Sequence, residues 1–446
     1  MIPRLPLVLL TSALVLGCGP AARSAGLPPD FEGALSADYP SLEAFYKDLH
    51  LHPELSLMEE RTAARVAGEL RSAGYEVTEK FAGTGVVAVL RNGPGPVLLI
   101  RADMDALPVR EATGLPYAST VTTKNLSGKE VPVMHACGHD IHMTVLVGTA
   151  RRMAAMKDRW SGTLVLIGQP AEEIVTGARN MLSAGLYRKF PTPSYAICLH
   201  DDAVNAAGTV GFPEGFVTST SDSVDITVHG VGGHGSRPDM TKDPVVLASQ
   251  IVLALQTIVS REIKPGETAV VTVGTISGGN KRNIIPDEVK LELTVRSYTE
   301  VVRQRLLGAI KRIAKGQAEA AGIPEDLLPT VVVLEGETTP ATYNDPALTA
   351  RVRAAVLGAV GAARVVPSEP VTGSEDFSQF GRTVERVPIC FFRLGATSPE
   401  LLAESERTGV PVPFLHSSKF APVPGPTLRT GITAMSAAAL DLLAKN

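Results

Sequence analysis

Three short stretches of the chain contain the side chains that a hydrolytic metal centre uses. Residues 135–140 read His-Ala-Cys-Gly-His-Asp, residues 169–173 read Gln-Pro-Ala-Glu-Glu, and residues 199–200 read Leu-His. Together they supply a thiolate, imidazoles and carboxylates, which suit divalent transition metals, and one carboxylate is left over to act as a base. This combination predicts a hydrolase that activates water between two metal ions.

The elements before these stretches are expected to bring them together. Residues 97–100, 163–167 and 195–199 are short, mostly apolar runs flanked by Gly or Pro, which is typical of strands buried on both faces of a sheet. Polar side chains follow the three runs in turn: Asp103 with Asp105, Glu172 with Glu173, and His200. Because ligand sites of open α/β sheets lie beyond the carboxyl ends of the strands, we expect these groups to meet.

Some members of this set also have simpler interpretations. The pair Glu172-Glu173 is compatible with an ordinary solvated helix start, because carboxylates are favoured in a first helical turn. Cys198 and Cys390 lie in apolar sequence and are predicted to be core residues. Cys137-Gly-His139 is more specific, since the glycine lets the backbone bend so that both side chains face one ion.

The ordered motifs resemble the M20 family of metallopeptidases and amidohydrolases, in particular its aminoacylase-like branch, which hydrolyses hippurate, N-acyl amino acids and auxin conjugates. The resemblance extends over nearly the whole chain after its N-terminal segment. The motifs that carry it are His50-Leu-His52-Pro-Glu-Leu-Ser56, Arg101-Ala-Asp103-Met-Asp105-Ala-Leu-Pro108, His135-Ala-Cys-Gly-His-Asp140 with His142, Gln169-Pro-Ala-Glu-Glu173, Gly232-Gly-His234-Gly-Ser-Arg-Pro238, Asn283-Ile-Ile-Pro286 and Gly373-Ser-Glu-Asp-Phe377.

This resemblance implies a cofactor of two divalent metal ions per subunit, for which Zn, Mn, Co and Ni are not distinguishable. The implied ligands, with Cys137 between the two ions, are Cys137, His139, Glu173, His200 and His416. Glu172 would be the catalytic base, and Asp103 and Asp105 would support the ligands from behind.

Two departures from the family pattern bear on this site. His416 is followed by Ser417-Ser418, where the family commonly has Asn-Pro. His200 is followed by Asp201-Asp202, where a more apolar or Pro-containing stretch is common. The second departure is expected to alter the rim of the substrate pocket.

The order of predicted elements divides the chain. Residues 57–73 are predicted to form a helix that Gly74 ends, and residues 141–156 another. From Asp222 the pattern becomes strand, helix, strand, strand, helix, strand, the order of a ferredoxin-like unit. The predicted fold class is therefore α/β, with a mixed-sheet, zinc-peptidase-like catalytic domain in two parts (38–220 and 337–446) and an inserted α+β domain (221–336).

The resemblance also implies roles for the insert. M20 relatives use it as a lid and for dimerisation, which predicts a homodimer. His234, in a glycine-rich segment too flexible for a strand interior, would reach the oxyanion in the active site of the partner subunit. Asn283, Arg296 and Ser374 would bind the substrate, and a guanidinium suits its carboxylate.

The N-terminus predicts export. Arg4 precedes an apolar stretch of residues 5–16 that is too short to span a membrane, and residues 15–18 read Val-Leu-Gly-Cys. We interpret residues 1–17 as a lipoprotein signal peptide, Cys18 as the lipidated residue and residues 18–37 as a tether, which gives a bacterial cell-envelope lipoprotein in the periplasm or outer membrane. The alternative is an ordinary signal cleaved near Ala22 or Ala25, which gives a soluble periplasmic or secreted protein.

Composition fits this interpretation. The chain has 446 residues, 44% of them apolar, and a net charge of −4. Nothing in this balance suggests nucleic acid as a partner, and membrane contact is expected only through the lipid anchor. With Cys18 lipidated, three thiols remain, so at least one stays unpaired.

The sequence thus predicts a metal-dependent amidohydrolase that cleaves N-acyl amino acids or similar amide conjugates into a carboxylic acid and an amino acid. A metallo-dipeptidase or carboxypeptidase with the same centre is an alternative. For a dipeptidase, Asp201 and Asp202 are the candidates to neutralise the free amine of the substrate. Two others are a thiol enzyme in which Cys137 is the nucleophile with His139, and a lipid-anchored binding protein without catalysis.

Overall fold

The computed structural model describes residues 26–445, so the predicted signal peptide and Cys18 lie outside the described residues. Ten α-helices are found within this range. In chain order they are α1 (Phe31–Leu51), α2 (Glu60–Ser72), α3 (His139–Ala155), α4 (Gly177–Ser183), α5 (Leu186–Lys189), α6 (Pro244–Thr257), α7 (Glu300–Ala320), α8 (Pro346–Val360), α9 (Pro399–Thr408) and α10 (Pro424–Leu442).

The described residues also contain eighteen strands, several of them only two or three residues long. In chain order they are β1 (Glu76–Phe81), β2 (Gly85–Asn92), β3 (Val97–Asp103), β4 (Thr122–Lys124), β5 (Glu130–Pro132), β6 (Gly162–Gln169), β7 (Tyr195–Ala206), β8 (Val210–Gly211), β9 (Phe216–Thr218), β10 (Asp222–His229), β11 (Gly233–His234), β12 (Ala269–Gly278), β13 (Ile284–Ile285), β14 (Glu288–Ser297), β15 (Thr330–Val333), β16 (Thr342–Tyr343), β17 (Val365–Val366) and β18 (Ile389–Thr397).

An eight-stranded mixed sheet forms the centre of the larger unit, in the order β1-β2-β6-β3-β7-β18-β8-β17. The four central strands, β6, β3, β7 and β18, run parallel, whereas β1 and β2 pair antiparallel at one side. These central strands are buried on both faces, which is why their sequences are continuously apolar. The predicted α/β fold with a mixed sheet is confirmed.

A second, four-stranded antiparallel sheet has the order β12-β14-β10-β15. Helices α6 and α7 pack against this sheet and share a separate hydrophobic core with it. The segments that enter and leave this unit lie side by side, because Ser221 and Thr339 form an antiparallel bridge. Apart from the two-residue strands β11 and β13, the strand and helix order is the one predicted from the sequence after Asp222.

Three local predictions were wrong. The tether was predicted to extend to residue 37, but α1 begins at Phe31, and Phe31 and Leu35 are buried in the core. The helix predicted to begin at Leu57 begins at Glu60, because Leu57 adopts a left-handed φ of 66° that a right-handed helix excludes. The segment of His234 was expected to be too flexible for a strand, but His234 lies in the two-residue strand β11, paired with β13. Gly232 and Gly235 permit this pairing, since a Cβ on Gly232 would lie 2.7 Å from the backbone oxygen of Ile285.

Within the described residues, one helical stretch, Pro244–Glu262, is long and apolar enough to cross a bilayer by length and composition alone. Its inner face packs in the core of the small sheet, where Ile251 and Leu255 are fully buried. A helix of a water-soluble core passes the same test, so this stretch carries no membrane assignment.

Candidate metal centre

The carboxyl ends of three adjacent parallel strands define the site. β3 lies between β6 and β7, so Asp103 at the end of β3 is next to the turn that follows β6 and to His200 in β7. Glu172 and Glu173 lie in that turn and not at a helix start. The sequence argument for convergence is therefore correct, except that β7 continues to Ala206, so His200 lies within the strand and not after its end.

The start of α3 brings Cys137 and His139 to the same place. Between them, Gly138 has a left-handed φ of 73°, and a Cβ there would overlap the carboxylate of Asp201. Only glycine fits both the conformation and the contact. The bend places the Cys137 thiol 3.6 Å from His200 Nε2.

The remaining predicted ligands complete the cluster. Glu173 lies between two histidines: its Oε1 is 3.7 Å from His139 Nε2, and its Oε2 is 3.5 Å from His416 Nε2. His416 comes from the loop between α9 and α10, where it adopts a left-handed φ of 68°, and its backbone N–H donates to the Ala136 carbonyl. The structure thus brings all five predicted ligands together.

The two inner histidines are oriented by backbone carbonyls. His139 Nδ1 donates to the Asp105 carbonyl at 2.7 Å, and His200 Nδ1 donates to the Asp201 carbonyl at 2.8 Å. This fixes the tautomer in which each Nε2 atom carries a free lone pair toward the cluster.

The donor set fits two divalent cations. In the described chain, His139 Nε2 and Glu173 Oε1 are buried and have no hydrogen-bond partner, although they face one another. Overlapping groups of three donors share members, for example Cys137, His139 and His200 in one group, and Cys137, Glu173 and His416 in another. Cys137 belongs to both groups, so its sulfur is the atom suited to lie between two ions.

Electrostatics in the protein alone oppose a thiolate at this point. Burial, and then the charges of Glu173 and Glu172, raise the pKa of Cys137 well above its ordinary value. A bound cation reverses this effect, because coordination deprotonates a thiol. The thiol therefore suits a metal ligand and not a free nucleophile.

Asp105 holds the two adjacent glutamates by their backbone. Its Oδ1 accepts from the Glu172 N–H at 3.1 Å and its Oδ2 from the Glu173 N–H at 3.0 Å. Ser56 donates to the same carboxylate at 2.6 Å. These contacts fix the turn, so that the two side chains can take different roles.

Asp103 contacts the ligands from a buried network. Arg101 Nη1 donates to Asp103 Oδ2 at 2.6 Å, and Arg101 Nη2 donates to Glu375 Oε1 at 2.7 Å. The other carboxylate oxygen of Asp103 is 2.6 Å from His142 Nδ1. Burial would raise the pKa of Asp103, but the charges of Arg101, His139 and His142 hold it well below its usual range.

A cavity of about 1030 Å³ opens beside the cluster. It is lined by Cys137, Glu172 and Glu173 at the metal centre and by Arg296 and Ser374 farther along. Arg296 Nη1 donates to Ser374 Oγ at 3.0 Å, so two of the predicted substrate-binding residues act together. Burial, and then the charges of Glu375 and Glu173, raise the pKa of Glu172 well above its ordinary value, which makes it a stronger base.

The structure does not bring His234 and Asn283 to this cavity. His234 is exposed, with Ser236 Oγ 2.8 Å from its Nδ1, and the Asn283 carbonyl accepts from the Gly235 N–H. His234 lies in β11 and Asn283 directly before β13, and neither residue lines the cavity of its own chain.

Sequence reasoning gave other groups in the site no role toward the ligands. His142 and Asp201 are buried beside the ligands, with His142 Nε2 3.3 Å from Asp201 Oδ1. Arg393 lines the cavity from β18. A charge inside the apolar run Phe391-Phe392-Arg393-Leu394 was the signal that could have revealed it.

An α/β fold with a mixed sheet and this donor set defines a dinuclear metallohydrolase. The chain belongs to the peptidase family M20/M25/M40, whose profile matches residues 99–409. It is a metal-dependent amidohydrolase or peptidase of that family, and its cofactor is a pair of divalent metal ions.

Several relatives with named activities align with most of this chain. Hippurate hydrolase of Campylobacter jejuni is 39% identical over 304 residues, which are 68% of this chain and 75% of the relative. Thermostable carboxypeptidase 1 of Saccharolobus solfataricus is 36% identical over 378 residues, or 84% and 88% of the two chains. Among solved structures, the YXEP protein of Bacillus subtilis, a dinuclear metal binding peptidase from the M20 family, has a TM-score of 0.73 and 29% identity and covers 92% of this chain and 99% of that one.

Proposed function

We propose that the protein hydrolyses the amide bond of N-acyl amino acids and releases a carboxylic acid and an amino acid. The observation that carries this proposal is the cavity in which the base Glu172 and the paired Arg296 and Ser374 line one space. A guanidinium there suits the α-carboxylate of the amino-acid part. The relative that hydrolyses hippurate acts on a compound of this type.

Different residues of the site have different roles in hydrolysis. Two bound divalent ions would polarise the amide carbonyl and lower the pKa of water from 15.7 to about 7. Glu172 takes the proton of the attacking water and hands it to the departing amine. Asp105 keeps Glu172 in place through the backbone, and Arg296 orients the substrate through its carboxylate.

The acids after His200 favour an N-acyl substrate over a dipeptide. A dipeptidase must neutralise a free amine, and Asp201 and Asp202 were the sequence candidates for this task. Asp201 is fully buried and contacts His142. Asp202 accepts from the Val204 N–H and from Asn205 Nδ2, both at 2.8 Å, so both of its oxygens are engaged by neighbouring residues of β7.

An activity panel tests this function. The Zn²⁺-loaded protein should cleave N-acetyl, N-benzoyl or indole-acyl amino acids faster than the matching dipeptides. A chelator should abolish the activity, and added metal should restore it. Faster cleavage of dipeptides would favour the carboxypeptidase alternative, and activity that survives the chelator would favour a thiol enzyme based on Cys137.

We further propose that residues 221–336 act as the lid and dimerisation domain of a homodimer. Two features support this. The outer face of α6 is apolar and exposed, with Val246 54% and Leu253 72% accessible. Strand β12 lies at the edge of its sheet, where its backbone groups are free to pair with another chain.

Export as an envelope lipoprotein remains a proposal that rests on the sequence around Cys18. Replacing Cys18 with Ala should move the protein from the membrane fraction to the soluble fraction, or leave its signal uncleaved. An unchanged distribution would favour the ordinary secretory signal.

A further inference from the structure

The cavity contains a second guanidinium, that of Arg393. Arg393 lies opposite His200 in the parallel register of β18 and β7. Its side chain lies on the Phe391 ring, with 4.9 Å between the guanidinium carbon and the ring centroid, and that ring is 6.0 Å from the His200 ring. Arg393 is therefore on the same face of the sheet as a metal ligand and borders the same cavity as Glu172.

This guanidinium is buried without an acidic partner. Arg393 is only 7% exposed, and among the described residues its Nη2 atom has no hydrogen-bond partner. Burying an unpaired charge is costly, and arginine does not escape the cost by losing its proton. A buried and unpaired guanidinium beside an open cavity suggests that the missing partner is a ligand.

The nearest carboxylates are already engaged. Asp202 is held by Val204 and Asn205. Glu375 Oε1 accepts from Arg101 Nη2 at 2.7 Å and from the Phe377 N–H at 3.0 Å. Burial lowers the pKa of Arg393, and the charges of Asp202 and Glu375 oppose this effect without forming a contact pair.

Arg296 also has no carboxylate partner within the described chain. Its hydrogen bonds go to the hydroxyls of Thr294 and Ser374. Two guanidiniums that are free of carboxylate contacts thus border one cavity. One suffices for the α-carboxylate of an N-acyl amino acid, which leaves the other for a second anionic group.

We propose that Arg393 binds a second carboxylate of the substrate, so that the protein prefers N-acyl amino acids with two negative charges. This inference rests on the proposed function. The second carboxylate can belong to the amino-acid side chain, as in N-acetyl-L-glutamate, or to the acyl group, as in N-succinylglycine.

Matched substrates that differ only in this charge test the inference. N-acetyl-L-glutamate is compared with N-acetyl-L-glutamine, and N-succinylglycine with its terminal amide. In at least one pair the dianion should have the higher kcat/KM, and the pair identifies which end of the substrate carries the second charge. Arg393→Gln should lower the ratio of kcat/KM for the dianion to kcat/KM for its amide by about 10- to 100-fold, the range expected for a lost hydrogen bond to a charged group.

Two further variants control for structure. Arg393→Lys keeps the charge but not the fork and should retain part of the preference. Arg91→Gln changes an exposed arginine that pairs with Glu76 on the edge of the large sheet, and it should leave the ratio unchanged. Equal ratios in the wild type and in Arg393→Gln would overturn the inference while leaving N-acyl amino acid hydrolysis intact.

Binding separates this inference from the proposed function. In a Glu172→Gln background loaded with Zn²⁺, calorimetry gives the dissociation constants of the same four compounds without turnover. If adding Arg393→Gln weakens the binding of a dianion but hardly changes the binding of the matching amide, the inference is supported, even if the wild type cleaves no N-acyl amino acid. Equal constants, or no binding of any dianion, would overturn it.

Discussion

At the scale of single residues, adjacent glutamates have different surroundings. Glu173 lies within 3.7 Å of His139 and 3.5 Å of His416, so its two oxygens face two histidine ligands. Glu172 borders the cavity and forms no such pair. The sequence alone offers two identical side chains, and the assignment of base and ligand came from the family resemblance.

Replacing Glu172 with Gln tests this division. The variant should keep both metals, because the ligands are untouched, and it should lose turnover by at least the roughly 10²-fold expected of a general base. Metal analysis and single-turnover rates measure the two effects separately. The matched variant Glu173→Gln should lose metal as well as activity. Near-normal turnover in Glu172→Gln would refute the assignment of the base.

His50 provides a residue-scale prediction about pH. Burial lowers the pKa of His50, but hydrogen bonds to Asp140 and Glu111 outweigh burial and raise it to about 10. The Nδ1 atom is 2.6 Å from Asp140 Oδ2 and the Nε2 atom is 3.1 Å from Glu111 Oε1. The imidazolium therefore links α1 to the first turn of α3.

Because the folded-state pKa lies above the ordinary value of 6.5, this contribution to stability is complete below pH 6.5 and is lost as the pH rises toward 10. Urea unfolding with a chelator present measures the free energy of unfolding of the wild type and of His50→Gln. The wild type should be more stable than the variant, by the largest amount at low pH and by the smallest amount near pH 10. A stability difference that is constant across this range would mean that His50 is not charged in the folded protein.

At the scale of elements, buried strands were the most predictable feature. The runs that form β3, β6 and β7 are apolar because both faces of the sheet are covered, and a short apolar run between Gly or Pro is typical of such strands. The positions of their ends then placed Asp103, Glu172 and His200 at one edge. This pattern located Glu172, Glu173 and His200, whereas Cys137 and His139 reach the site from the start of α3 and His416 from the loop before α10.

Features that depend on contacts between distant segments were not predictable. Leu57 takes a left-handed conformation, and its N–H donates at 2.9 Å to Glu59 Oε1, which also accepts from the distant Ala171 N–H. The Arg101 network joins β3 to the segment after Gly373, which is far away in sequence. The unpaired state of Arg393 follows from the engagement of its neighbours, and no local pattern encodes that.

The turn before α3 leads to a prediction about glycine. Gly138→Ala should destabilise the protein by at least the roughly 1–2 kcal/mol of a left-handed alanine, because the new Cβ would also overlap the Asp201 carboxylate. It should also lower metal occupancy, since Cys137 and His139 are on either side of the turn. Urea unfolding and metal analysis measure both effects.

Gly68→Ala is the matched control for this variant. Gly68 lies inside α2. Apart from its chain neighbours and the backbone of the helix itself, no atom of the described residues lies within 4 Å of the position that an added methyl group would take, so alanine there should stabilise the protein by about 0.5–1 kcal/mol. Metal content should not change. Equal behaviour of the two variants would show that the turn at Gly138 imposes no constraint on the metal ligands.

At the scale of the whole molecule, the small unit raises the question of how it takes part in catalysis. His234 is remote from the cavity of its own chain, while the exposed α6 face and the open β12 edge lie in the same unit. In a symmetric dimer these surfaces would face each other, and each His234 could serve the opposite active site. The homodimer proposal thus explains why this residue has no partner site within one chain.

Mixing two inactive variants tests this arrangement. If His234 donates to the oxyanion in the partner subunit, His234→Ala should lower kcat by roughly 10²- to 10³-fold without changing metal content. A heterodimer of His234→Ala and Glu172→Gln chains contains one site with both groups intact. It should therefore regain about half of the wild-type activity, because the other site lacks both groups.

Chain exchange must be verified, for example with two affinity tags that allow the heterodimer to be isolated. Mixing Glu172→Gln with itself under two tags is the control, and it should stay inactive. If the isolated heterodimer of the two different variants is also inactive, His234 does not act across the interface. Light scattering that finds a monomer at the assay concentration, together with full activity, would likewise exclude catalysis shared between subunits.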